Sequence, residues 1–111
     1  MNIENLLPRI RTFLGLGTNT YQDDLIKEFM EEVINDMIDS GVLKEVATSS
    51  LAVGNIFRGV IDKWNYNTGA DYSPMWIKRT NQLRNITLDE LNKRTADEKQ
   101  ETTEVEETEN V

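Results

Sequence analysis

Apolar residues recur at helical spacing through most of the first 95 positions, with no convincing two-residue alternation of the kind a strand requires. Ile3, Leu6, Leu7, Ile10 and Leu14 predict a first helix from about Ile3 to Phe13 or Leu14, ended by Gly15 and Gly17. Pro8 lies inside it, so either the helix begins near Leu7 or its first turn is kinked. Tyr21, Leu25, Phe29, Val33 and Met37 form one i,i+4 row of a second helix, and Ile26, Met30, Ile34 and Ile38 form the next. Two apolar rows against an acidic face predict an amphipathic helix, with Thr20 as N-cap, Asp23 three residues on, and Gly41 at its end.

A third helix is expected from about Ser49 to Trp64, burying Val53, Ile56, Phe57, Val60, Ile61 and Trp64. It contains Gly54 and Gly59, which cost about 1 kcal/mol each relative to Ala and suggest a close approach by another backbone. A turn signal over 65–69 follows, then Ser73-Pro74 as N-cap and first residue of a fourth helix reaching about Asn85. Met75, Trp76, Ile77 and Leu83 are its apolar residues. Thr87-Leu88-Asp89-Glu90 matches a capping box and predicts a short fifth helix from about Leu88 to Arg94 or a little beyond. The fold class is all-α: a small bundle of four helices over 1–86, a C-terminal helical arm over 87–96, and an acidic tail over 97–111, disordered or ordered by a partner. Phe29, Val33, Phe57 and Trp64 are the predicted core.

Charge sharpens that division. The chain carries 12 Lys+Arg against 20 Asp+Glu, a formal −8. Seven acids and one Lys fall in the last fifteen residues, so the tail is −6 and the remainder −2. With Val105 and Val111 as its only aliphatic side chains, the tail has too little to bury to offset its ordering entropy. The body is small enough that oligomerisation is a common remedy for its limited core. No signal-peptide pattern opens the chain and no apolar run reaches membrane-spanning length, so neither secretion nor a membrane is expected.

Cys and His are both absent, which removes disulfides, thiolate nucleophiles and the commonest general base and metal ligand. Glu28 and Glu32 at i,i+4 are better read as a solvated face than as an acid/base pair, and Gly15-Leu16-Gly17-Thr18 lacks the length and Lys of a phosphate loop. A non-enzymatic binding or structural protein, without cofactor or metal, is expected. Lys78, Arg79, Arg84, Lys93 and Arg94 are too few for a DNA-reading helix in so acidic a chain. They fit side chains pairing with the acidic helix, or contact with an acidic protein. If copies form a ring, Glu28, Glu31, Glu32 and Asp36 are candidates to line a pore that repels a DNA backbone. Trp64 fits the core, whereas Tyr66, Tyr72 and Trp76, with Lys78 and Arg79, are candidates for a subunit interface.

Arg58-Gly59-Val60-Ile61-Asp62-Lys63-Trp64-Asn65-Tyr66, a Gly-containing turn, Tyr72-Ser73-Pro74, and Lys78-Arg79-Thr80-Asn81-Gln82-Leu83-Arg84 together resemble the head–tail connector proteins of long-tailed bacteriophages. The resemblance spans about residues 20–85 and leaves out the acidic tail. It implies a helical adaptor in a homo-oligomeric ring of about twelve copies, which requires two different patches per subunit. The ring would sit below the portal after packaging, extend the DNA channel, and dock the next neck or tail component. Its place would be the virion neck, with the host cytoplasm as the site of assembly. Leu88, Leu91, Lys93 and Arg94 would then be the arm that grips the portal protein; the alternative is that this segment folds back on its own body as an ordinary fifth helix. The alternative is an acidic inhibitor or DNA mimic occupying a basic site on a host protein, and a generic helical regulator is a third reading.

The charge division generates a first prediction. Deleting residues 97–111 leaves helicity per body residue and the thermal midpoint nearly unchanged. A drop of several degrees, about 1 kcal/mol for a domain of this size, would place the tail's packing inside the body.

Overall fold

In a computed structural model, residues 3–66 and 72–96 are described, and among them all regular structure is helical. The predicted turn over 65–69 falls largely outside these residues, as do the side chain of Tyr66 and the tail over 97–111. A 3-10 turn, Ile3–Leu6, leads into α1, Leu7–Phe13. Pro8 stands in the first turn of α1, where no partner for its missing N–H is needed, so the helix starts at Leu7 rather than being kinked. α2 is Asp23–Asp39, α3 is Lys44–Ala47, and a 3-10 turn at Ser50–Ala52 opens into α4, Val53–Tyr66. α5 is Pro74–Arg84, and α6 covers residues 88–96. Among the described residues no helix is long and apolar enough to cross a membrane.

α2 starts two residues later than a Thr20 cap would place it. Gln22 is the N-cap residue and gives no side-chain cap. The reason is Arg11, whose guanidinium donates to both oxygens of Asp23 at 2.8 and 3.0 Å. Asp23 is therefore committed to α1 instead of the cap, and Tyr21 is left outside the helix, 85% exposed. Arg11 holds the Asp23 carboxyl below the usual carboxylate range, chiefly through their hydrogen bond. The far end follows expectation. Gly41 has φ +104°, its N–H meets the Ile38 carbonyl, and the Val42 N–H meets the Met37 carbonyl. This is the paired hydrogen bonding of a Schellman stop, and it needs a residue without Cβ strain.

The stripe that α2 buries is Ile26, Met30, Val33 and Met37, crossing between the two predicted rows. Phe29 is left at its margin, partly buried. On α4, Ile56 and Val60 are fully buried, whereas Phe57, Trp64, Val53 and Ile61 are only partly so. Of the four predicted core residues, Val33 alone is fully buried. Phe57 instead sits edge to face with Phe13, centroids 5.1 Å apart, under the Arg9 guanidinium. Met75 and Ile77 of α5 are exposed at 61% and 47%, while Trp76, Thr80 and Leu83 face inward. α3 has no counterpart in the sequence pattern. Its four residues are too few to show a period, yet Val46 and Ala47 add to the core.

α2 and α4 form the central pair, and α5 lies against α4. The pair closes on Gly59. A Cβ placed there would stand 2.6 Å from a Val33 methyl and 2.8 Å from the Trp76 indole nitrogen. Side chains rather than a backbone make the close approach. Gly54, one and a half turns earlier, has nothing within 4 Å of its would-be Cβ. The expected approach by another backbone is therefore replaced at Gly59 by an approach of side chains, and fails at Gly54.

The two glycines should respond with opposite sign to the same change. Gly54→Ala gains helix propensity, about 1 kcal/mol, and raises the thermal midpoint by several degrees. Gly59→Ala forces Val33 and Trp76 apart and lowers stability by about 1–3 kcal/mol of overpacking. Thermal melts of both variants check the assignment; an unchanged midpoint in Gly59→Ala would refute the close approach.

Candidate functional site

The residues singled out in the sequence separate into an inward-facing corner and two outward-facing surfaces. At the corner, Tyr72 stacks on Trp76 with centroids 3.7 Å apart and planes 13° from parallel. The Tyr72 hydroxyl donates to the Asp36 carboxylate. Lys63 lies over the Tyr72 ring at 5.1 Å and pairs with Glu32 at 3.1 Å and Asp36 at 3.7 Å. One aromatic pair and one Lys thus tie the start of α5 and the end of α4 to α2. Trp76 is 4% exposed and Tyr72 is partly buried against the core. For Trp76 the assignment to a subunit interface is corrected, because the Gly59 notch draws the indole inward; Tyr72 is engaged by these contacts and partly buried. Lys78 and Arg79, from the same predicted set, do face outward.

The Ser73-Pro74 start is where the sequence placed it, but Ser73 does not cap with its own side chain. Asp62 of α4 accepts from the Ser73 backbone N–H at 3.0 Å, and the buried Ser73 hydroxyl has no partner among the described residues. A carboxylate at this N-terminus also suits the helix dipole.

On α2, Glu28 and Glu31 are exposed, and no cation among the described residues pairs with them. Glu32 and Asp36 are partly neutralised by Lys63. The candidate pore-lining set therefore divides into two open acids and two tied ones. Among the described residues no three acids converge as a metal site would require.

The outer side of α5 is cationic and apolar. Lys78, Arg79, Met75 and Ile77 are all exposed there, and Arg58 of α4 joins them. Between α4 and α5 runs a groove of about 460 Å³ lined by Leu51, Gly54, Asn55, Arg58, Met75, Lys78, Arg79 and Gln82. Arg79 reaches back to the Leu51 carbonyl at 3.3 Å and to Gln82 at 3.0 Å, which orders that rim. A second groove on α5, bounded by Pro74, Ile77, Asn81 and Asn85, shares Lys78 and Gln82 with the first.

Asn55 is the residue that sequence reasoning missed. It is 2% exposed in the middle of α4. Its amide nitrogen donates to the Thr80 hydroxyl at 2.8 Å and lies 3.3 Å from the Met37 sulfur. The Thr80 hydroxyl in turn donates to the Trp76 carbonyl at 2.8 Å, which makes it an acceptor for Asn55 and fixes which way the amide points. Asn55 Oδ1 is left without a partner, at a cost of about 1–3 kcal/mol. The signal was in the sequence: Asn55 shares a helix face with Ala52, Ile56 and Gly59, where a polar side chain demands an explanation.

The predicted arm is half attached. The Glu90 N–H is capped by Thr87 Oγ1 at 3.2 Å, but the Glu90 carboxylate meets Arg94 at 2.7 Å instead of completing the box. Leu91 packs against the body, whereas Leu88 stays 46% exposed and Lys93 is exposed. Comparison with known protein families, characterised proteins and solved structures finds no match to this chain.

The Tyr72 corner carries a pH dependence. Burial pushes the phenol above its usual value, and the Asp36 hydrogen bond with the charges of Asp36, Glu32 and Asp62 push it further. The group contributes stability that is fully present below the unfolded value near 10. That stability is lost as pH rises from there through the folded value. Chemical denaturation should show wild-type stability falling above about pH 10, and Tyr72→Phe should be less stable at pH 7 with a shallower alkaline decline. An identical alkaline slope in both proteins would count against the corner as described.

Proposed function

We propose that this chain is a non-catalytic assembly adaptor of the head–tail connector kind, forming a ring beneath a portal and docking the next neck component. Two things support the reading. The first is the resemblance carried by residues 58–66, 72–74 and 78–84. The second, which carries the mechanism, is that α2 and α5 both lie against α4 and turn opposite charge to solvent. A closed ring needs a heterologous contact between two different patches. Glu28 and Glu31 on α2, against Lys78 and Arg79 beside Met75 and Ile77 on α5, make such a pair. Exposed apolar side chains supply burial, and the charges set register and partner choice. Leu88 on α6 is the apolar contact left for the portal, since Leu91 is engaged by the body.

The test is attachment to purified, DNA-filled capsids that contain portal and lack this protein. Co-sedimentation, with a ring of added density at the portal vertex, is expected. Lys78→Glu with Arg79→Glu should weaken attachment tenfold or more, about 1.4 kcal/mol, with the body still folded. A wild-type protein that fails to bind such capsids would overturn the proposal.

A further inference from the structure

Three buried side-chain polar atoms lack a hydrogen-bond partner among the described residues: Asn55 Oδ1, the Ser73 hydroxyl and the Trp76 indole nitrogen. All three lie on one seam. Ser73 and Trp76 stand at the start of α5, and Asn55 faces α5 from α4 through its bond to Thr80. The α2–α4 seam is different. α2 brings Ile26, Met30, Val33 and Met37 to the core, all fully buried and apolar, and none of the orphaned atoms belongs to α2.

Packing along the α4–α5 seam is also uneven. It is tight at Gly59, where Val33 and Trp76 fill the space of the missing Cβ. Toward Gly54 it opens into the groove, and nothing stands within 4 Å of where a Gly54 Cβ would be. α5 itself has little to bury. Of its eleven residues, Trp76, Thr80 and Leu83 are buried, and one of these is polar. Met75 and Ile77 are spent on the outer side, 61% and 47% exposed.

Closed, the seam keeps the three orphaned atoms out of reach of water. Opening it lets water bond all three, so each recovers a hydrogen bond that the closed form withholds. Separating α2 from α4 would recover none of these through α2 and would expose a continuous apolar stripe. We propose that α5 is a strap held shut at the Gly59 notch, which undocks from α4 as a unit while α2 and α4 stay paired. Opening bares Trp76 and Leu83 and moves Lys78, Arg79, Met75 and Ile77 relative to α2. A contact that needs α2 and the outer side of α5 in fixed relation is then made by the closed form alone. Elements that move on binding are drawn from the low-stability end of a structure, and this seam places α5 there. The inference concerns the single subunit and does not rest on the connector reading.

Native-state hydrogen exchange on the full-length protein, followed amide by amide by NMR in sub-denaturing urea, tests it. Amides 78–84 of α5 should show protection about tenfold or more below that of amides 29–37 in α2 and 57–63 in α4. Their dependence on urea should also be weaker, because the opening exposes less surface than unfolding does. One protection level and one urea dependence across all three helices, the mark of a single global event, would overturn the proposal. Asn55→Leu with Thr80→Val replaces the half-satisfied polar pair by apolar side chains of similar shape. In that variant α5 protection should rise about tenfold toward that of α4. A gap between α5 and α4 as wide as in the wild type would also overturn the proposal, since the polar seam would not then set the opening. Should the double variant fail to fold, the wild-type exchange pattern decides alone.

Discussion

The architecture turns on the missing side chain at Gly59. α2 and α4 approach closely enough there that Val33 and the Trp76 indole occupy the space a Cβ would need. Trp76 is drawn inward so far that its N–H has no acceptor among the described residues, a cost that burial of a large indole outweighs. Seating Trp76 decides the rest of α5. Tyr72, four residues earlier, can then stack on it and reach Asp36, while Thr80, four residues later, can receive Asn55. One notch therefore sets the height and rotation of α5. It is also why α5 turns Met75, Ile77, Lys78 and Arg79 outward.

Much of the fold was legible because it rests on local rules. The helix ends written by Gly41, by Ser73-Pro74 and by Thr87 stand where their chemistry puts them, since each is settled by a few adjacent residues. The features that were not legible are contacts between residues far apart in the chain. Asp23 pairs with Arg11 twelve residues before it, and so the cap at Thr20 is lost. Asp62 caps α5 from eleven residues away. The choice of Ile26, Met30, Val33 and Met37 over the neighbouring row depends on where α4 lies, which periodicity along α2 cannot supply.

The aromatic cluster shows the same limit in the candidate site. Trp and Tyr near a turn suit an interface and a core equally well, and composition favours the interface. What separates the two is Gly59, five residues before Trp64 and seventeen before Trp76. A glycine in a helix interior signals a close approach, yet it does not name the side chain that approaches. Trp64, expected inside, stays at the margin, and Trp76, expected outside, takes the notch. Lys78 and Arg79 are exposed, since a charged side chain next to a buried stripe has only one way to face.

The charge distribution follows from the same geometry. Inside the subunit, opposite charges are paired where they lock elements: Arg11 with Asp23 between α1 and α2, and Lys63 with Glu32 and Asp36 between α4 and α2. Of what remains, Glu28 and Glu31 stand exposed on α2, while Arg58, Lys78 and Arg79 gather at the α4–α5 groove. Charges left exposed and unpaired contribute little to stability, so folding alone does not account for the cations gathered at the groove. Separated charge acts at longer range, by steering and selecting what approaches. Charge alone would hold such a surface to a partner weakly, since exposed charge is screened by salt. Assembly would then depend on the surface that offers Met75 and Ile77 something to pack against, not on charge alone.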